Sequence, residues 1–356
     1  MRHLVSRLVW AMALSSALIA SGKIETWSDT QGGSFKGEPS EVFGPLAVFR
    51  GSSGGGRRLP WRVLSPADCV RFHAAIAKKP ARADDWTKAT GVLTAELINR
   101  TRQRKDGELV ETTLAGRPEP LLLIALFVDN SEGKSWDMLG KSAGPFQELV
   151  QKYPGQVEGI QVGMNHSKDD HRNMALQMNV PWLLAEYYEQ SKITVLRDFS
   201  PARGDFKLVV FSRDGVPLFS ADNPKEAEIL KVFADTAALL ELQRPGNPRT
   251  WADRVHYLTA IQPSLHAGDA TGPVLVGDPI MPQGLKERKI FHVEAKIDVA
   301  PDGKVAQATV KEDASIPPPI AAALADALKK AAVFVPAVDH GKFVAGSYEY
   351  VLEIPR

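Results

Sequence analysis

Cysteine is nearly missing from this chain: its 356 residues carry one, Cys69. A single thiol excludes an intramolecular disulfide, a C-x-x-C redox couple and a cysteine-rich zinc site. Charge of one sign is missing as well. Lys plus Arg number 43 against 42 Asp plus Glu, a net charge of +1, so bulk charge supplies no pull toward nucleic acid. Long apolar runs are scarce too. The run from Leu8 to Ala20, about 13 residues, falls short of the roughly 20 that a helix needs to cross a bilayer. Arg2, His3 and Arg7 precede it and Ala20, Ser21 and Gly22 close it, the layout of a secretory signal peptide over residues 1–22. An uncleaved anchor is the alternative. There is no lipobox cysteine, and no later segment reads as a transmembrane helix. The expected product is periplasmic or secreted, with no integral membrane segment once the signal is cleaved. What remains is ordinary: 44% hydrophobic and 24% charged residues, a globular composition long enough for two or three domains.

Residues 23–77 alternate in short pieces broken by glycine and proline. Gly32-Gly33 and the run from Gly51 to Gly56 read as hairpin connections, and Ser65-Pro66-Ala67-Asp68 as an N-cap opening a helix through Ala77. The strings ETWSD, GGSFKGE and LPWRVLSPADCVRF resemble the Sla-one homology domain. That resemblance implies a small SH3-like β-barrel that binds short peptide motifs, without assigning contact residues. A phosphate loop is the competing reading of GSSGGGRR, but it lacks the Lys-Ser/Thr pair and the helix that should follow. Cys69, on the terminal helix, reads as a small buried hydrophobe; a reactive thiol needs an electropositive, accessible setting. Residues 78–118 are polar and read as a linker with helical character, the basic run from Arg100 to Lys105 forming a solvated face rather than a nucleic-acid patch.

From residue 119 the pattern changes. LLLIALFVD is a run of strand length suited to burial on both faces of a sheet. Trp136–Tyr153 reads as a helix interrupted at Gly144-Pro145, VEGIQVGMN as a strand, KDDHRNMALQM as a helix, and KITVL and FKLVVF as strands. Arg213-Asp214-Gly215 reads as a tight turn into VPLF. Asn223-Pro224-Lys225-Glu226 reads as a capped helix start with Asn223 as N-cap. Alternating strands and helices predict an α/β layer fold over 119–243.

With DGELVETTLAGRPEP, NVPWLLAEYY and LVVFSRDGVPL, this order resembles the thioredoxin fold in its nucleoredoxin or tryparedoxin-like branch. The family's W-C-x-x-C-K segment matches Trp136-Asp137-Met138-Leu139-Gly140-Lys141, with Pro145 at the matching distance, so Asp137 and Gly140 stand where the cysteines would be. Counting back from Gly215, the family's cis-proline position falls on Phe206. Disulfide exchange needs a thiolate and a resolving thiol, and neither is available in this domain. What the resemblance leaves is a groove beside Trp136, Asp137 and Phe206 for a peptide or partner; packing of Trp136, Trp182 and Phe206 in the core is the plainer reading.

His166, Asp169, Asp170 and His171 could offer zinc ligands, but the histidines stand five apart and the acids suit a helix start, so a capped helix is expected. No G-x-S-x-G elbow marks a hydrolase.

Residues 244–274 read as a linker with one short helix, WADRVHYLTAI. From 275 to 356, Phe291, Val293, Ala295, Ile297 and Val299 alternate with polar residues; a Pro301-Asp302-Gly303 turn, a second strand, an alanine-rich helix and a long strand from Phe343 to Ile354 follow. This β-β-α-β order resembles the TonB C-terminal domain, a module that pairs with a partner's strand at a sheet edge. The predicted fold class is therefore multidomain α+β and α/β: a small SH3-like β-barrel, a thioredoxin-like α/β domain and a TonB C-terminal-like domain. The expected function is protein binding or scaffolding in the cell envelope, with no cofactor, no metal, no catalytic residue and no nucleic acid. The alternatives are a thioredoxin-family oxidoreductase relying on partner thiols, or a TonB-like energy transducer.

Overall fold

The computed structural model describes residues 23–354 except 53, 130–133, 164–166, 179, 201–203, 244–249, 278–283, 312 and 314. The expected signal peptide and His166 lie outside the described residues.

The first module is an antiparallel meander of β1 (Glu25–Ser28), β2 (Ser34–Phe43), β3 (Leu46–Arg50) and β4 (Gly56–Pro60), followed by α1 (Pro66–Ile76). A bridge between Asp29 and Leu64 brings the chain back alongside β1. The glycine runs turn as expected, with Gly32 and Gly54 at φ +84° and +79°, a region that glycine enters without steric cost. Ser65 caps α1 by accepting the Asp68 N–H, and Pro66 follows at the first helical position.

The middle domain adds α2 (Val92–Leu97), β5 (Thr101–Lys105), β6 (Glu108–Glu111), β7 (Leu122–Val128), α3 (Lys134–Lys152), β8 (Val157–Gly163), α4 (Lys168–Gln177), β9 (Leu183–Ala185), α5 (Thr194–Arg197), β10 (Phe206–Ser212), β11 (Pro217–Asp222) and α6 (Glu226–Glu241). These strands form one seven-stranded sheet in the order β11-β10-β7-β8-β9-β5-β6. β7, β8 and β9 run parallel; β10, β11, β5 and β6 pair antiparallel. β7 is buried along its whole length because both of its faces are covered. Leu122, Ile124, Leu126 and Val128 meet one core with α3 and α6, while Leu123, Ala125 and Phe127 meet another with Trp86 and α2.

Several expectations change here. Residues 78–118 are not a linker: they supply α2, the Trp86 and Leu93 core positions and a hairpin that extends the sheet. α3 runs unbroken through Pro145, because Leu139, Phe146 and Leu149 stay buried on both sides of it, and that burial outweighs the roughly 3 kcal/mol a mid-helix proline costs. KITVL is not a strand. Ile193 and Leu196 enter the core at helical spacing, and the Glu96 carboxylate accepts from Thr194 and Val195 at the start of α5. Asn223 is not the cap of α6. It takes a left-handed φ of +44° and accepts the Phe206 N–H at 2.9 Å, while Lys225 becomes the N-cap, its N–H donating to Glu228.

Beyond these lie α7 (Trp251–Leu265), β12 (Ala270–Thr271), β13 (Val274–Gly277), β14 (His292–Val299), β15 (Val305–Val310), α8 (Pro318–Ala331), β16 (Val333–Val335), β17 (Ala337–Asp339), β18 (Lys342–Val344) and β19 (Gly346–Glu353). β14 lies between β15 and β19, its Val293, Ala295, Ile297 and Val299 buried with Leu324 and Leu328 of α8. The expected single strand from Phe343 to Ile354 is two, β18 on β17 and β19 on β14. The break falls at Ala345, just before Gly346, where an added Cβ would stand 2.8 Å from the Ala337 side chain.

α7 is more than part of a linker. Its Tyr257 stacks on Trp61 with ring centroids 4.1 Å apart, and Ile261 is buried with Trp27, Phe49 and Phe72. The first module's core is thus completed by residues from far down the chain. Its other side shares a core with the middle domain: Phe43 and Val48 are buried in the cluster that holds Leu208, Leu239 and Leu240. Among the described residues, no helix is long and apolar enough to cross a membrane.

Candidate functional site

The start of α3 holds Trp136, Asp137 and Gly140, the positions singled out in the sequence. Trp136 is half-buried against the core that holds Phe206, and Phe206 itself is 2% exposed at the first position of β10. Phe206 therefore shapes this region from beneath; its ring is not available at the surface. Trp182 is buried too, its indole N–H donating to Gln161. Asp137 is exposed on the first turn of α3 and pairs with Lys141 at 2.7 Å, and Lys141 also reaches Glu226 at 3.5 Å. At Gly140 an added Cβ would meet only the Met178 methyl, at 4.0 Å.

The sequence reading missed Asp129, just beyond β7. It is 2% exposed, and its carboxylate accepts the Gly204 N–H at 2.8 Å while its carbonyl accepts the Ser135 hydroxyl at 2.6 Å. One buried residue, through its carboxylate and its backbone carbonyl, thus joins the end of β7, the start of α3 and the loop before β10. Among the described residues around Asp137, the exposed charges are paired with one another and no thiol is present.

The chain's lone thiol cannot substitute. Cys69 is fully buried with Trp61 and Phe72, and burial, reinforced by Asp68, pushes it up to about 12. His171 lies on α4 behind the Ser167 cap, with its Nε2 3.0 Å from the Ala185 carbonyl. Burial holds the ring below the usual histidine range. Among the described residues no cluster of three or more His, Cys, Asp or Glu is placed to hold a metal ion.

The densest polar construction lies elsewhere, at the junction of the first module and the middle domain. Arg213, in the turn between β10 and β11, is 8% exposed. Its guanidinium donates to Glu41 of β2 at 2.9 Å, to the Thr90 hydroxyl at 2.8 Å and to the Pro80 carbonyl at 2.9 Å, and stands 3.5 Å from Glu119. Glu119 is fully buried and accepts N–H groups from Ala83 at 2.9 Å and Gly91 at 2.8 Å, besides the Thr94 hydroxyl. Burial alone would raise its pKa, but these hydrogen bonds hold the carboxyl below the usual range. Burial pushes Glu41 the other way, up to about 7, against the pull of Arg213. Next to it, Asp214 accepts from Lys79 at 2.8 Å, and its carbonyl accepts from Arg50 at 2.6 Å. Arg213-Asp214-Gly215 was legible only as a turn. Its role as a tie depends on partners as distant in sequence as Glu41.

Above this junction opens a cleft of about 580 Å³, walled by β1, β2, the end of β3 and α1 on one side and by residues 79–92 and the Arg213-Asp214 turn on the other.

No protein-family model matches this chain, and no curated protein does. Among solved structures it is similar to peroxiredoxin Q of Xanthomonas campestris, at 15% identity and a TM-score of 0.28 over 36% of this chain and 86% of that one. It is similar to a thioredoxin of Wuchereria bancrofti, at 17% identity and a TM-score of 0.29 over 40% of this chain and 96% of that one. A third is tryparedoxin II of C. fasciculata, at 13% identity and a TM-score of 0.30 over 40% and 92%. The strand order seen here, β7 and β8 parallel, then β10 and β11 antiparallel on the other side of β7 with α6 following, is that of an α/β layer domain, the class expected for this region. The chain is a multidomain α+β protein containing it.

Proposed function

We propose that this chain is an exported protein that uses a thioredoxin-like domain without thiols to hold a protein or peptide partner in the cell envelope. The observation that carries the reading is chemical. The domain resembles disulfide-exchange proteins in its sequence pattern but contains no cysteine, and the one thiol elsewhere is buried, which holds it protonated. The resemblances of the flanking modules support it: the strings around β1–β4 and α1 resemble the Sla-one homology domain, and those of the β14-β15-α8-β19 unit resemble the TonB C-terminal domain, both of them binding folds. Among the described residues β19 has one strand neighbour, β14, so its other edge is the place where a partner strand would pair. Asp137 and the half-buried Trp136 belong to the second candidate surface.

The test has two arms. In insulin reduction by dithiothreitol, the purified protein leaves the rate at the buffer value; acceleration of precipitation would overturn the thiol-free reading. In a culture expressing the full-length chain, the mature protein is recovered from the envelope fraction as a cross-linked complex with a defined protein. A product found only as an uncomplexed monomer would overturn the partner-holding reading.

A further inference from the structure

The cleft over the Arg213 junction has a charge imbalance that the fold does not consume. Arg71 on its wall is engaged with Asp68 at 3.1 Å and lies over the Trp27 ring at 4.0 Å; Lys79 is engaged with Asp214, and Arg213 with Glu41. Lys23, Lys78 and Arg50 remain. Lys23 and Lys78 are exposed and have no ion pair among the described residues, and Arg50 gives its hydrogen bond to a backbone carbonyl rather than to a carboxylate. Three cationic residues thus line one cavity, from the chain before β1, the end of β3 and the stretch just after α1. A concave site with low-dielectric walls concentrates such a field more than an open surface does.

Apolar positions lie between the charges: Pro39, Ala74, Ala75, Pro80 and Val92 line the same cavity. Glu25 and Glu38 line it as well. Carboxylates on the wall disfavour a compact anion of high charge density such as phosphate, which is usually gripped by converging backbone N–H groups or an Arg fork. An extended chain whose acidic side chains are spaced by small apolar ones meets the cations and the apolar wall together, and a cavity of about 580 Å³ is of ordinary size for a ligand site. Arg213 and Glu119 fix the two walls relative to each other, so little ordering is needed on binding.

We infer that this interdomain cleft is a binding site for an acidic peptide segment of a protein partner, with Lys23, Lys78 and Arg50 as its anion-recognising residues. The inference rests on the partner-holding reading above and assigns it a location and a ligand chemistry.

The experiment is fluorescence anisotropy on the full chain with a fluorescein-labelled hexapeptide of alternating alanine and Asp or Glu, its Asn/Gln counterpart, and unlabelled pyrophosphate as competitor. The acidic peptide binds, the amide peptide binds at least about tenfold more weakly, and Lys23→Ala with Lys78→Ala weakens the acidic peptide by about tenfold or more, the effect of one lost interaction of roughly 1.4 kcal/mol. Lys329→Ala with Lys330→Ala, on exposed α8 positions, leaves the affinity unchanged. Equal binding of the two peptides, an unchanged affinity in the Lys23/Lys78 variant, or complete displacement by equimolar pyrophosphate would overturn the site. Absence of peptide binding while the cross-linked complex persists would sink the cleft and leave the partner-holding reading standing.

Discussion

Two polar regions of this molecule are built on opposite principles. Around Asp137 the charged groups are exposed and paired with one another, Asp137 with Lys141 and Lys141 with Glu226, and Gly140 faces open space. At Arg213 the charges are buried and satisfied by partners from β2, residues 80–90 and Glu119. Surface pairs of the first kind are worth roughly 0–1 kcal/mol, whereas a buried network of the second kind is costly to break at any one member. The start of α3 carries exposed, replaceable pairs, whereas the buried polar network lies at the seam between modules.

The contrast breaks most visibly at Arg213. Arg213→Met takes from the buried Glu119 and Glu41 the guanidinium that they share, and urea unfolding should show a loss of about 3–5 kcal/mol. A loss below about 1 kcal/mol would mean that the seam is not held by this residue. Next in size is the contact that α7 makes with the first module. Tyr257→Ala removes the ring stacked on Trp61 and should cost about 2–3 kcal/mol, with near-ultraviolet circular dichroism reporting the loosened tryptophan.

A pH series sharpens the comparison further. The folded Glu41 carboxyl stands at about 7 against an ordinary 4.5. Between those values the folded state binds the proton that the unfolded chain has released. This group's contribution is therefore fully present below about pH 4.5 and is lost as the pH rises through about 7. Glu41→Gln should flatten that part of the stability profile, a change of about 3 kcal/mol across the window; an unchanged slope would place the titration elsewhere. The smallest effect belongs to α3. Gly140→Ala has room for its methyl and should stabilise by about 0.5–1 kcal/mol, and a destabilisation would show that the helix start is less open than its geometry.

How much of this could be read in advance follows the range of the interactions. The continuous apolar run of β7, the two-residue period of β14, and the caps of α1 and α4 are local, and they read correctly. KITVL misled because a segment so short carries no decisive period, and Glu96, almost a hundred residues upstream, decided its shape. Asn223 misled because a residue that caps helices also tolerates the left-handed turn it adopts. At the candidate site, the absence of thiols was fully visible. Asp129 was not, since nothing local ties it to Gly204, and the cleft was not, since its walls meet only in the folded chain. Glu119 appeared as one acid in a polar stretch. Only the converging N–H groups of residues 83 and 91 reveal what it organises.

The lacing of α7 into the first module has a consequence for how the molecule comes into being. His73 and Tyr257, which touch in the finished protein, are separated by 184 positions. As the polypeptide emerges from a ribosome or a translocon, the leading module must therefore wait, its Trp61 and Phe72 side open, until most of the molecule has followed. Any product cut short before residue 251 carries that open side permanently, a ready target for chaperones and proteases.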